Sequence, residues 1–161
     1  MTVNTKPARS DAERLQIFQQ RLSESFALVP FNQVIGGKVV SISNDEVVMS
    51  FEMRPELVGN VFKRILHGGV IATALDSVGG LASFNAVYQK LQSLERDERN
   101  QRLAQIGTID MRVDYIRPGR GESFLASGKV VRLGSKICAT QMALHNEKND
   151  LIATGNAVFH Y

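Results

Sequence analysis

The 161-residue chain has one cysteine and no tryptophan. A lone cysteine excludes an intrachain disulfide framework and leaves the redox compartment open. Charge imbalance is slight: 19 basic against 16 acidic residues give a net +3. That is too little for the footprint of a nucleic-acid binder, but it suits a small polyanionic ligand. No stretch reads as the roughly 20 consecutive apolar residues of a membrane span, so no membrane is expected as a partner. Residues 1–10 hold no apolar run of the kind that opens a secretory leader, and cytoplasm is the default expectation. There is no G-x-G-x-x-G, no Walker lysine motif and no G-x-S-x-G elbow. His67, His145 and His160 lack metal-ligand spacing, so no metal is expected.

What the chain does contain is His67-Gly68-Gly69-Val70-Ile71-Ala72-Thr73-Ala74-Leu75-Asp76. This reads as an apolar helix that opens on a Gly-Gly turn and carries one acid. A helix apolar on all sides is normally a core helix, and burying a carboxylate is costly unless something pairs with it or uses it. The helix start offers free N–H groups and the positive end of the macrodipole. An oxyanion site and a carboxylate base are what hydrolysis of an activated ester needs. They lie apart, however: Asp76 is seven residues past Gly69, roughly 10 Å along the axis at about 1.5 Å per residue. Joint action therefore requires a second copy of the helix alongside, and predicts a homodimer with a shared site.

The remaining pattern is α+β. Residues 1–10 are polar, and a frayed terminus is expected there, ahead of a single domain over 11–161. Ser10 and Glu13 form a capping box, followed by Leu15, Phe18, Leu22 and Phe26 at helical spacing up to Pro30. Strand character begins at Val34, with Lys38–Ile42 and Val47–Phe51 flanking a turn. Residues 54–66 read as a connector, and the central helix as running from about Gly69 to Phe84. Tyr88–Ala104 reads as an inserted, largely surface helix. Strands follow over 108–115, 124–131, 136–144 and 151–159. Strict alternation in the first of these puts Ile109, Met111, Val113 and Tyr115 on one face. Thr108, Asp110, Arg112 and Asp114 fall on the other. Short turns between strands imply an antiparallel sheet wrapped around the apolar helix.

With that order in view, the chain resembles the hotdog-fold acyl-CoA thioesterases of the phenylacetate-pathway (PaaI) type. The residues that carry the likeness are His67-Gly68-Gly69, Asp76 at the family spacing, and the strand Gly107–Tyr115 running into Ile116-Arg117-Pro118-Gly119. The bacterial members that process medium- and long-chain acyl-CoA share an insertion like that at 88–104. The resemblance implies a hotdog fold: an antiparallel sheet of five or six strands around the central helix, with an extra N-terminal helix here. It implies acyl-CoA as substrate, with no separate cofactor, and dimers that pair edge to edge and can double into tetramers. It casts Asp76 as the group that activates water or attacks the carbonyl, and the Gly68 N–H as the donor from the other subunit. Asn60 matches an asparagine near the catalytic water when one extra residue is allowed before His67. Thr108 aligns with a hydroxyl residue that assists the water. In relatives coenzyme A lies along the segments matching Tyr115, Arg117, Pro118, Gly119 and Arg120, and Arg132, Gly134, Ser135 and Lys136, with His160 nearby. Arginines suit phosphates there through their planar fork.

Plainer readings stand beside these. His67 is expected to orient the loop rather than move protons. Asp110, Arg112 and Asp114 read as a solvated charge ladder or subunit contact, and Cys138 as inert core. Two rival functions use the same fold: a hydratase or dehydratase, and a non-catalytic acyl-CoA sensor. The insertion is expected to cover the mouth of the acyl tunnel through Leu91 and Leu94.

Overall fold

The capping box forms. In the computed structural model, which describes residues 10–161, the Ser10 hydroxyl accepts from the Glu13 N–H at 3.2 Å. The Glu13 carboxylate accepts from the Ser10 N–H at 2.7 Å. The expected frayed terminus lies outside the described residues, apart from Ser10 itself. Helix α1 (Asp11–Leu28) then runs to the residue before Val29-Pro30. Where strand was expected from Val34, a short helix α2 (Pro30–Ile35) intervenes. Proline at its first position is pre-set for a helix, and Gly36 at φ 71° ends it in the left-handed conformation that glycine tolerates.

Strands β1 (Lys38–Ile42) and β2 (Val47–Glu52) follow. The expected connector over 54–66 holds a 3-10 turn and a small hairpin, β3 (Val58–Asn60) with β4 (Ile65–Leu66). Then come α3 (Gly68–Lys90), α4 (Arg96–Ala104), β5 (Gly107–Tyr115), β6 (Ser123–Leu133), β7 (Ile137–Asn146) and β8 (Leu151–His160). Six strands form one sheet in the order β1-β2-β6-β7-β8-β5, every neighbour antiparallel. This is the hotdog arrangement, with β5 at an open edge. The chain uses the upper of the two expected strand numbers.

Helix α3 is the core element. Ile71, Ala74, Leu75, Val78, Leu81 and Ala82 are buried against Met49, Phe51, Phe124, Met142 and Leu144 of the sheet. At 23 residues it is long and apolar enough to cross a bilayer, contrary to the reading of the sequence, but the sheet covers it instead. Helix and sheet approach closely at one place: a Cβ on Gly128 would sit 2.9 Å from the Val78 carbonyl oxygen.

The single helix expected over 88–104 is split in two. Val87 and Tyr88 belong to the last turns of α3, which extends past Phe84 to Lys90. They form a second, small core with Leu91, Leu103 and Tyr161. These apolar positions turn one face inward and the chain must reverse at 91–95 to bring Leu103 back onto it. Helix α1 runs antiparallel to α3: Phe18 stacks on Tyr88 at 3.7 Å between centroids, and the Gln19 amide donates to Asn85 at 3.1 Å. Buried Asn85 in turn donates to the Ser43 carbonyl at 2.7 Å, tying the α1–α3 pair to the β1–β2 turn.

Two alanine substitutions separate close approach from helix propensity. Gly128→Ala forces the new methyl against α3 backbone, which cannot yield as a side chain can, and should cost about 1–3 kcal/mol. Gly80→Ala places a Cβ no nearer than 3.6 Å to any neighbour and should gain up to about 1 kcal/mol of helix propensity. Thermal unfolding should show the first midpoint falling and the second rising, by roughly 2–4 °C per kcal/mol.

Candidate active site

Asp76 sits in the third turn of α3, half-buried rather than sealed in the core. Its Oδ1 accepts a hydrogen bond from the Thr108 hydroxyl at 2.9 Å. This contact exists because β5 does not alternate strictly. Its register with β8 slips between Thr108 and Asp110, so Ile109 bulges out, more than half exposed, without a partner. One extra residue flips the strand's faces. Thr108 therefore turns toward α3 together with Met111 and Val113, instead of sharing a face with Asp110 and Arg112 as strict alternation alone would have it. Asp76 and Thr108 open onto a cavity of about 360 Å³ walled by Phe26, Leu81, Phe84 and Ile106 among others.

The start of α3 is built separately. His67 caps the helix, its Nδ1 accepting from the Gly69 N–H at 2.9 Å. A nitrogen that accepts carries no proton, so the neutral ring holds its proton on Nε2. The Gly69 N–H is thus occupied, whereas the Gly68 N–H has no acceptor among the described residues. The Tyr115 hydroxyl donates to the Gly68 carbonyl at 3.0 Å and so braces the turn. No signal in the sequence marks Tyr115 for this bracing. Gly59 backs the same turn: a Cβ there would come within 2.5 Å of the His67 Cα.

Gly68, Tyr115, Arg117, Pro118 and Gly119 line one cavity of about 300 Å³. Arg117 also donates to the Leu151 carbonyl at 3.0 Å. The expected coenzyme segments are therefore divided within one chain. Tyr115–Arg120 lies at the Gly68 end of the sheet. Arg132, Gly134, Ser135, Lys136 and His160 lie at the other, where His160 pairs across from Gly107 and Ile137. The length of β5, about 26 Å at 3.3 Å per residue, separates the two groups. Gly68 and Asp76, eight residues apart on a straight helix, are about 12 Å apart along the axis. Asn60 does not join Asp76: its side chain accepts from the Lys63 N–H at 3.1 Å within the β3–β4 hairpin, outside the Asp76 cavity. His67 stays at the helix start and is likewise not part of that cavity.

Of the remaining candidates, Arg112 and Asp114 form a surface ion pair at 2.9 Å on the exposed edge strand, worth little to stability. Cys138 is fully buried; desolvation pushes its thiol up from the ordinary cysteine range, and the neighbouring Ser83 hydroxyl offsets part of that.

Helix, edge strand and HGG turn together define a hotdog domain of the thioesterase kind. The chain belongs to the thioesterase superfamily, whose family model matches residues 64–153. The Escherichia coli medium/long-chain acyl-CoA thioesterase YigI is 40% identical over 131 residues, which are 81% of this chain and 84% of YigI. A crystal structure from Shewanella oneidensis, of a protein related to the thioesterase superfamily, superposes with a TM-score of 0.87 at 41% identity, covering 91% of this chain and 97% of that one. The E. coli PaaI protein of the phenylacetic acid degradation operon shares the fold, with a TM-score of 0.71 at 14% identity over 91% of this chain and 93% of its own.

Burial and the raised thiol make Cys138 a poor nucleophile. A thiol-reactive maleimide should leave the native protein unlabelled over hours and label one thiol per chain in denaturant. Rapid native labelling would place Cys138 at an accessible surface instead.

Proposed function

We propose that the protein hydrolyses medium- to long-chain acyl-CoA in the cytoplasm, as a homodimer whose two active sites are each shared between subunits. The observation that carries this reading is the division of labour along α3. A hydroxyl-braced carboxylate stands over an apolar cavity, and a free N–H stands at the helix start beside Arg117, too far away to act on the same carbonyl.

A two-fold pairing of β5 with β5 unites the halves. The strand is an open edge, a template for pairing with another copy. Antiparallel pairing centred near Met111–Arg112 brings Tyr115 and Gly68 of one subunit to Thr108 and Asp76 of the other. The same operation brings Arg117 and Arg120 toward the partner's Arg132, Lys136 and His160. The divided coenzyme segments become one phosphate-binding rim, with backbone from Pro118, Gly119, Gly134 and Ser135 along it.

The chemistry follows from this placement. The thioester carbonyl oxygen accepts from the Gly68 N–H, at the positive end of the α3 dipole. Asp76 of the facing subunit, oriented by Thr108, takes a proton from water. The water oxygen attacks the carbonyl carbon, and the oxyanion collects on the Gly68 N–H. Collapse breaks the C–S bond and releases the acid. The coenzyme A thiolate takes the proton held by Asp76. Asn60 reaches the water only from the hairpin of the subunit that supplies Gly68. His67 orients the turn; with Nδ1 held by Gly69 it offers no free base, which weighs against a hydratase built on a histidine–acid pair.

Thiol release from a panel of acyl-CoAs tests the reading. Asp76→Asn should lower kcat by about 10²–10⁴-fold, the range of a lost general base, with the thermal midpoint unchanged. Gly68→Pro removes only one N–H: the position opens the helix, where proline fits, and His67 at φ −65°, ψ 137° already has the backbone that precedes proline. It should cost about 10²–10³-fold. Mixing the two inactive variants should restore activity, since a mixed dimer carries one site with both parts intact. No recovery on mixing, after verified subunit exchange, would refute the shared site.

A further inference from the structure

The Asp76 cavity does not stand alone. Leu22, Ser25 and Phe84, which line it, also line a second, partly open cavity of about 360 Å³ between α1, α3 and α4. Side chains that face two cavities are the wall between them. The second cavity shares Arg14, Ile17, Arg21, Tyr88, Arg96 and Arg99 with an adjoining cleft of about 700 Å³ that reaches the α3–α4 turn.

The order along the helices gives this series a direction. Asp76, Gly80, Phe84 and Tyr88 recur every four residues on α3, so each lies beside the next in a row that winds slowly around the helix. Antiparallel α1 sets Phe26, Leu22, Phe18 and Arg14 opposite them. Phe84 stands eight residues, about 12 Å, beyond Asp76. The inner chamber thus ends at Leu22 and Phe84, and the outer one continues over Ile17, Phe18, Tyr88 and Leu103. Arg14, Arg21, Arg96 and Asn100 also line it, and the Arg99 guanidinium lies over the Tyr88 ring at 5.1 Å and donates to the Leu94 carbonyl. Neither Leu22 nor Phe84 is fully buried. Leu22 packs on the margin of the main core and Phe84 on the margin of the second. The wall lies on the seam between two packed units, where a side chain changes rotamer without opening a void in either.

We propose that the outer chamber is the terminal subsite for long acyl chains and that Phe84 and Leu22 form the gate between it and a medium-chain chamber at Asp76. The proposal rests on the acyl-CoA thioesterase reading. It assigns the 88–104 insertion a role different from the expected one. Leu91 is buried in the second core and lines neither chamber, and Leu94 lines only the adjoining cleft. Helix α4 closes the far end of the channel through Leu103 and Arg99, not its mouth.

The test is the ratio of kcat/KM for palmitoyl-CoA to that for octanoyl-CoA. Phe84→Ala opens the wall and should raise the ratio about tenfold, within the span that an apolar pocket contributes through small changes of fit. Ile17→Trp fills the outer chamber from a half-buried position and should lower the ratio about tenfold. Opposite movement by two substitutions is not what general loosening of the fold produces. The same ratio is read from calorimetric Kd values for both ligands in the Asp76→Asn background, which reports on the gate even where turnover is absent. Absence of turnover by the wild-type protein on every acyl-CoA, with the Kd ratio still moving oppositely in the two variants, would refute the hydrolase reading and keep the gate. Ratios unchanged in both variants, in folded protein, would overturn the gate.

Discussion

The contact on which everything else rests is the seating of α3 against the sheet. At Gly128 the strand backbone comes so near the Val78 carbonyl that no side chain fits between. Gly79 supports the same approach from the helix side, where a Cβ would meet the Met142 sulfur at 3.0 Å. A helix clamped this tightly over its middle cannot bend or slide to bring its ends together. Its start, with the His67 cap and the open Gly68 N–H, and its third turn, with Asp76, are held at a fixed separation. The rigidity that makes a good core thereby keeps the open N–H and the carboxylate about 12 Å apart within one chain, the separation that the proposed shared site answers.

The edge strand sets where the hydroxyl that braces the carboxylate stands. An ordinary β5 would present Thr108 outward, leaving the Asp76 carboxylate facing an apolar cavity without a bracing hydroxyl. The bulge at Ile109 rotates the first residues of the strand by one face while Met111 and Val113 keep their places on the core. One inserted residue both orients the carboxylate and pushes an apolar side chain out from the open edge. Bulges of this kind are common at edges and beside active sites because they re-aim a side chain without changing the strand's register beyond the slip.

Much of this was legible in the sequence, and what was not has a common cause. The capping box, the helical spacing of Leu15, Phe18, Leu22 and Phe26, the β1–β2 turn and the apolar run after His67 are local patterns, and each produces the element it suggests. The HGG turn and the spaced acid likewise point to the family that the chain belongs to. The failures are tertiary. Polar residues around Tyr88 make the end of α3 look like a surface helix, because the surfaces that bury Val87, Tyr88 and Leu91 come from Leu103 and Tyr161, distant in sequence. Helix α2 is only six residues, too short to display a helical period. The bulge leaves no mark in the pattern of β5, whose clean alternation is what misplaces Thr108. Asn60 is a different case: it matches only with one extra residue allowed before His67, and within its own chain its side chain accepts from the Lys63 N–H of the hairpin.

Helix α1 shows why a correct element does not reveal its use. Its apolar stripe reads as one continuous core contact, but the structure divides it. Phe18 closes on Tyr88 with rings stacked, while Leu22 and Phe26 stand over open space beside α3. An amphipathic helix gains its stability by burying one face, and here part of that face is left against a cavity. The Gln19–Asn85–Ser43 chain of hydrogen bonds supplies a fixed anchor beside the gap. Directional polar contacts hold α1 at a set distance from α3, where apolar contact alone would draw the helices together until the space between them closed. On the proposed reading, an acyl chain entering that space would supply the missing packing atoms and turn an incomplete surface into filled core.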